Sequence, residues 1–241
     1  MEISLKGKNV ILIGASGSIG NSILNQLILT GARVGATYNK TNITISDPSY
    51  KDILITKKVD VRDINELKSA LQEFIKHFKK IDALIYNSGI CEDSLFPIMK
   101  YKDWRSVLDV NLDGAFHAIK ILSKEMIRQK DGKIITIASS KGLSGSYGQA
   151  NYAASKAGLI GFSKSIARDL GRFGISVNAV CPGFMVTNLN RDRRDKELNA
   201  KNSSVLGCIS NPQEIASFTV YLLSDYVNNV SGQIFNIDSR L

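Results

Sequence analysis

The 241-residue, 26.4 kDa chain fits one large domain, residues 1–241, with a buried core. Hydrophobic residues make up 44% and charged residues 22%. That is ordinary globular usage, and no apolar stretch approaches the roughly 20 residues a membrane helix needs. The net charge of +9 would suit nucleic acid, but it is dispersed and forms no aromatic-laced stripe.

In chain order, Asn9–Ile13 is an apolar strand run closed by Gly14. Its opening context, MEISLKGKNVILIG, lacks a small-residue cleavage site and so does not read as a secretory signal, which places the chain in the cytosol. Residues 22–29 have helical periodicity, 33–37 form a second strand, and 53–59 a third that leads to Asp60. Ile64–Phe78 is an amphipathic helix, and Ala83–Tyr86 a buried strand ending at Asn87-Ser88-Gly89. Residues 104–129 read as one long helix or two, 134–138 as a strand and 151–168 as a helix. A strand at 176–180 ends at Cys181-Pro182-Gly183, and a helix at 213–223 precedes a last strand at 233–237. This alternation predicts an α/β fold, a doubly wound Rossmann-type parallel sheet with helices on both faces. The least regular stretches are 39–51 and 188–205.

Cys91, Cys181 and Cys208 are far apart and show no metal-type spacing, so they read as buried or half-buried free thiols. His77 and His117 are isolated, and no metal is expected. The densest charge cluster, Arg191, Arg193, Arg194 and Lys196, is interrupted by Asp192 and Asp195. It reads as a solvated surface or as an attractor for an acidic substrate or carrier protein.

The first strand runs into Gly14-Ala15-Ser16-Gly17-Ser18-Ile19-Gly20 and then a helix. Glycines at such a turn let backbone approach a pyrophosphate, and the helix start offers free N–H groups to it. In an open parallel sheet ligands bind beyond the carboxyl ends of the strands. Gly14, Tyr38-Asn39-Lys40, Asp60-Val61, Asn87, Gly89, Ser139 and Pro182-Gly183 all fall there. The second strand ends without an acid, which favours NADP over NAD, with Lys40 and its neighbour Asn39 as contacts for a 2′-phosphate.

Ser139, Tyr152 and Lys156 can together move a proton. Tyr152 and Lys156 are four residues apart in an Ala-rich helical segment, which stacks them on one face. A phenol has a reference pKa of about 10. A cation close by lowers it by about 1–3 units, so Lys156 is expected to make Tyr152 a better acid at neutral pH. The Ser139 hydroxyl could orient a carbonyl oxygen.

These residues, with the segment GQANYAASKAGLIGFSKSIARDLGRFGISVNAVCPGF, make the whole chain resemble the short-chain dehydrogenase/reductase family. Within it the chain is most similar to 3-oxoacyl-[acyl-carrier-protein] reductases. The resemblance implies a nicotinamide cofactor and a Ser139-Tyr152-Lys156-Asn111 catalytic set, with Asn111 helping to hold a proton-relaying water. It implies that Lys156 also binds the nicotinamide ribose, that Asp60 and Val61 contact the adenine, and that Asn87 and Gly89 end the fourth strand against the cofactor. Pro182, Gly183 and Thr187 would flank the nicotinamide carboxamide. Three positions depart from the family pattern: Ser18 replaces a glycine, Gly17 stands where many members carry a basic residue, and Tyr86-Asn87-Ser88-Gly89 replaces Asn-Asn-Ala-Gly.

The expected reaction is NADPH-dependent reduction of a ketone, most similar to that of a 3-oxoacyl carrier substrate. Arg128, Lys130, Arg168 and Arg172 are candidates for docking an acidic carrier, and 188–205 is the expected substrate lid. The charge of that lid keeps open another alcohol or ketone, such as a sugar derivative or a secondary metabolite. A non-catalytic nucleotide-sensing or nucleic-acid-binding protein is the remote alternative. The resemblance also implies a homotetramer.

Overall fold

The computed structural model describes residues 3–43, 50, 52–186 and 194–240. Seven strands form one sheet in the order β3-β2-β1-β4-β5-β6-β7, every pair parallel. They are β1 Asn9–Ile13, β2 Arg33–Tyr38, β3 Leu54–Lys58, β4 Ala83–Tyr86, β5 Gly132–Ile137, β6 Ile175–Pro182 and β7 Ile234–Ile237. The helices are α1 Ser18–Leu29, α2 Ile64–Phe78, α3 Tyr101–Leu108, α4 Gly114–Gln129, α5 Lys141–Ser144, α6 Ala150–Gly171, α7 Arg194–Asn202 and α8 Pro212–Leu223.

All of β1 is buried because both sheet faces are covered. Alternate side chains part to opposite sides: Ile11 and Ile13 join Phe74, Leu122 and Leu159, while Val10 and Leu12 join Leu27 and Val220. Helices α2, α4 and α6 thus cover one face, and α1 and α8 the other. α2 starts at Ile64 because Asp63 caps it, accepting from Asn65 N at 2.8 Å and Glu66 N at 3.1 Å.

The expected 104–129 helix is interrupted by one widened, π-type turn, Asp109–Asp113. The Tyr86 hydroxyl takes the Val110 carbonyl at 2.5 Å, and Arg105 braces the turn through Asp109 (2.5 Å) and Asp113 (3.1 Å). Such turns re-aim side chains and recur at functional sites. Here the re-aimed residue is Asn111, which is fully buried.

Two further expectations change. α1 begins at Ser18, inside the glycine motif and four residues earlier than its periodicity suggests. Part of the 188–205 stretch is the helix α7, and residues 187–193 lie outside the described residues, as does Thr187. Cys91 is half-buried and Cys181 buried as expected, but Cys208 is exposed. Among the described residues no helix is long and apolar enough to cross a membrane.

Candidate active site

The strand order reverses between β1 and β4, and in an open parallel sheet such a switch point puts the ligand crevice at the carboxyl ends of those strands. Gly14 turns out of β1 with φ +85°, a conformation that favours glycine. A Cβ there would lie 2.6 Å from Ser88 Oγ and 2.7 Å from Ser88 N. A Cβ on Gly20 would collide with the Gly14 carbonyl. The turn is clamped from both neighbouring strands. Gly14 N donates to Thr37 Oγ1 at 3.1 Å, Ala15 N to Thr37 O at 2.8 Å, and Asn87 Nδ2 to Gly14 O at 2.7 Å.

Gly17 precedes α1 with no side-chain cap and no acid in the first turn, so no side chain there meets the first N–H groups of the helix. A Cβ at Gly17 would meet nothing within 4 Å. A helix start with uncapped donors, a positive dipole end and open space fits a pyrophosphate.

At the adenosine side, Asn39 is half-buried and Lys40 exposed beyond β2. The Asp60 carboxylate does not stand free. Arg62 Nε donates to both its oxygens, at 2.9 and 3.2 Å, and Nη2 to Oδ2 at 2.5 Å. The Arg62 hydrogen bonds hold the Asp60 carboxyl below its usual range against the opposing effect of burial, and Asn39 adds a hydrogen bond. Val61 is buried against Gly114 and Tyr86, so it supports the wall of the site.

The proton-handling groups meet at the ends of β4 and β5. Ser139 is 8% exposed, its Oγ accepts from Lys141 N at 3.2 Å, and it acts on the Tyr152 phenol to lower its pKa. Lys156, 3% exposed, stands with Nζ 5.8 Å from the Tyr152 ring centroid and donates to Ile137 O at 2.8 Å. Gly89 makes room for it: a Cβ there would lie 3.4 Å from both Lys156 Nζ and Asn111 Oδ1. Asn111 accepts from Ile90 N at 2.8 Å and donates to Ile90 O at 3.1 Å and Ser155 Oγ at 2.9 Å. Both amide hydrogens of Asn111 are thus committed, and its side chain pins the β4 loop to α6.

Burial acts on both partners of the proton-handling pair. Burial pushes the Tyr152 phenol up to about 12, and the Ser139 hydrogen bond only partly offsets it. Burial also drives the Lys156 amine down to about 8. In the ligand-free protein burial thus outweighs the favourable contacts of the phenol. The Lys156 ammonium stands over the Tyr152 ring, 5.8 Å from the centroid, and donates to the Ile137 carbonyl.

The candidate docking residues lie at helix ends. Arg128 lies in the last turn of α4 with Lys130 as its C-cap, and Arg168 lies in the last turn of α6 with Arg172 as its C-cap. These helix ends feed the starts of β5 and β6, at the sheet edge opposite the crevice. Arg172 stands about 30 Å along the helix from Tyr152, at about 1.5 Å per residue. None of the four flanks the crevice of its own chain.

Pro182 and Gly183 do reach the site. Ser140 N donates to Pro182 O at 3.0 Å, beside Ser139. Sequence reading missed several supports. Thr37 holds the glycine turn, and Ser155 holds Asn111. Asn151 is fully buried, donating to Glu92 O at 2.9 Å and accepting from Tyr152 N at 2.8 Å. Its place directly before Tyr152 was the one available signal. Cys91 sits at the rim, accepting from Gln149 Nε2 at 3.0 Å and donating to Asp93 Oδ1 at 2.9 Å.

Comparison with known proteins agrees with this geometry. A family model described as short chain dehydrogenase matches residues 8–198. A 3-oxoacyl-[acyl-carrier-protein] reductase from Synechocystis sp. is 36% identical over 248 residues, covering 99% of this chain and 98% of that protein. The 3-oxoacyl-[acyl-carrier-protein] reductase FabG of Salmonella typhimurium is 36% identical over 245 residues, covering 99% of each. Among solved structures, the crystal structure of gox2181 superimposes with a TM-score of 0.90 at 27% identity, covering 99% of this chain and 96% of that one.

Proposed function

The chain belongs to the short-chain dehydrogenase family, and from that membership we propose that it reduces a 3-oxoacyl thioester, borne on an acyl carrier protein, to the secondary alcohol with NADPH. As a member it is an NAD(P)-dependent oxidoreductase. The observation that carries the finer reading is the meeting of Ser139, Tyr152 and Lys156 beside an uncapped helix start at one crevice.

The glycine turn and the first residues of α1 (Gly14, Ser16, Gly17, Ser18, Ile19 and Gly20) hold the pyrophosphate. Asn39 and Lys40 take the 2′-phosphate, Asn87 and Gly89 line the floor, and Lys156 holds the nicotinamide ribose. Pro182, Gly183 and Thr187 flank the carboxamide. When bound, the dihydronicotinamide supplies the hydride that reaches the carbonyl carbon. Ser139 hydrogen-bonds the carbonyl oxygen, and Tyr152 gives its proton to that oxygen as negative charge develops. An alkoxide is a stronger base than a phenolate, so a phenol near 12 still donates to it. The phenolate then regains a proton from solvent past Lys156 and Asn111.

An acyl substrate is supported by the rim. Ser94 N donates to Gly148 O at 2.8 Å, which lays the β4 loop along the β5–α6 loop. These loops carry exposed apolar side chains, Leu95 and Phe96 on one and Leu143 and Tyr147 on the other. A second reading, a small free ketone such as a sugar derivative, is favoured by one observation: the basic helix ends stand away from the crevice of their own chain. We place the protein in the cytosol as a homotetramer, in line with its resemblance.

The test is a screen of carrier-bound and free ketones with NADPH and NADH, followed by nicotinamide absorbance. Tyr152→Phe is expected to lower kcat by about 10²–10⁴-fold while NADPH still binds. Near-wild-type turnover by that variant would remove Tyr152 from the mechanism. Salt-sensitive KM for carrier-bound substrate alone marks carrier docking, and its absence supports the small ketone.

A further inference from the structure

The tail after β7 carries an ion pair that the chemistry above does not use. Arg240 Nε donates to both oxygens of Asp238, at 2.9 and 3.0 Å, and Nη2 donates to Oδ2 at 2.5 Å. The two side chains are only 15% and 7% exposed. The same Nη2 also donates to Ser140 Oγ at 3.1 Å, across 100 residues of sequence. Ser140 is the neighbour of Ser139, and its own N–H is tied to Pro182 O at 3.0 Å.

The tail is anchored on its other side as well. Gly183 N donates to Ile237 O at 3.1 Å, and Ser210 Oγ donates to the same carbonyl at 3.0 Å. Val205 N donates to Ser239 O at 2.9 Å, and the Ser204 and Ser239 hydroxyls are 2.6 Å apart. A Cβ on Gly183 would lie 2.5 Å from Asp238 Cγ, so this packing leaves no slack. Asp238 and Arg240 therefore sit where the serine loop, the Pro182-Gly183 loop and the stretch after α7 converge.

A largely buried ion pair is weak evidence for stability, because desolvation offsets its attraction. Its geometry is the more informative feature. A carboxylate that grips a planar guanidinium by two edges fixes the direction of the remaining donor. Here that donor is aimed at the hydroxyl next to the residue that must hold the substrate oxygen. We propose that Arg240, oriented by Asp238, is a positioning residue that sets Ser139 through Ser140. The idea rests on the ketone-reduction reading above. It assigns the C-terminal tail a role in turnover through the serine loop on the carbonyl side of the site.

The experiment compares wild type with Arg240→Ala, Arg240→Gln and Arg240→Lys. At saturating NADPH, kcat is expected to fall about ten-fold or more in Arg240→Ala, since small misplacements remote from the chemistry can cost up to about 10²-fold. The NADPH dissociation constant is expected to stay within about two-fold, the split that separates positioning from cofactor binding. Added guanidinium is expected to restore part of the Arg240→Ala loss, and Lys, which lacks the planar fork, to restore little. In parallel, hydrogen exchange on the ligand-free proteins is expected to quicken at 138–145 and to leave β1 and β4 unchanged.

An unchanged kcat in a folded variant overturns the proposal, as does exchange that quickens uniformly across β1 and β4. Arg240→Gln keeps the test open if the alanine variant does not fold. If the wild type reduces no ketone with either cofactor, the functional reading fails by itself. The local exchange at 138–145 then still decides whether Arg240 sets the serine loop.

Discussion

Replacing Lys156 with methionine is expected to stabilise the ligand-free protein at neutral pH while abolishing turnover. Burial holds the Lys156 amine at about 8, against an ordinary value of 10.5. Between those two values the unfolded chain binds more protons than the folded one, so folded stability rises with pH through that window. Below pH 8 the folded state carries the whole cost of the buried charge. That gap corresponds to about 3 kcal/mol. About 2–3 kcal/mol of it is recovered between pH 7 and pH 10, because the unfolded amine is still mostly charged at pH 10.

Methionine has nearly the same length and fills the same space, so little cavity cost enters. It does lose the hydrogen bond to Ile137 O. That loss offsets part of the gain by a constant amount at every pH, so the informative quantity is the change with pH. Urea unfolding of both ligand-free proteins at pH 7, 8, 9 and 10 gives the two stability curves. The methionine variant is expected to lead at pH 7, with its lead shrinking by about 2–3 kcal/mol by pH 10. A difference that stays flat over this range would show that Lys156 titrates near its ordinary value, and the argument from burial would be wrong.

The glycine turn separates two substitutions that look alike in sequence. Gly20→Ala places a methyl group against the Gly14 carbonyl and is expected to cost about 1–3 kcal/mol in thermal or urea unfolding and to weaken NADPH binding. Gly17→Ala meets open space at φ −76° and is expected to leave stability nearly unchanged. Lys40→Glu is expected to lower kcat/KM for NADPH relative to NADH by about ten-fold or more, read from paired kinetics with both cofactors. An unchanged ratio would take Lys40 out of cofactor selection.

The sequence disclosed most where periodicity and a local cap coincide. Ile64–Phe78 and Ala83–Tyr86 come out to the residue, the former because Asp63 caps it within three residues. The start of α1 was missed because a helix opening on Ser18-Ile19-Gly20 has the composition of a turn. The widened turn at Asp109–Asp113 depends on Tyr86 and on the bonds of Asn111 to Ile90 and Ser155, all distant in sequence. α7 has no apolar stripe to announce it. The basic residues at 128, 130, 168 and 172 were read by type and not by position. The alternating order already implied that helix ends face strand starts, away from the site. Arg240 and Ser140 have no local signal for their contact at all.

The acidity of Tyr152 depends on the medium around the pair as well as on the nearby charge. Burial works against charge on both partners, raising the phenol and lowering the amine. The resting site therefore disfavours both the phenolate and the ammonium. When Tyr152 gives up its proton, a negative charge appears near Lys156 in surroundings where attraction is screened far less than in water. The lysine then contributes most after the proton has begun to move and little before it. An interaction that strengthens only along the reaction speeds the step, whereas one already present in the resting state would stabilise reactant and transition state alike. On this reasoning the depth at which Lys156 is held, more than its bare distance from the phenol, makes the pair suited to protonating an alkoxide.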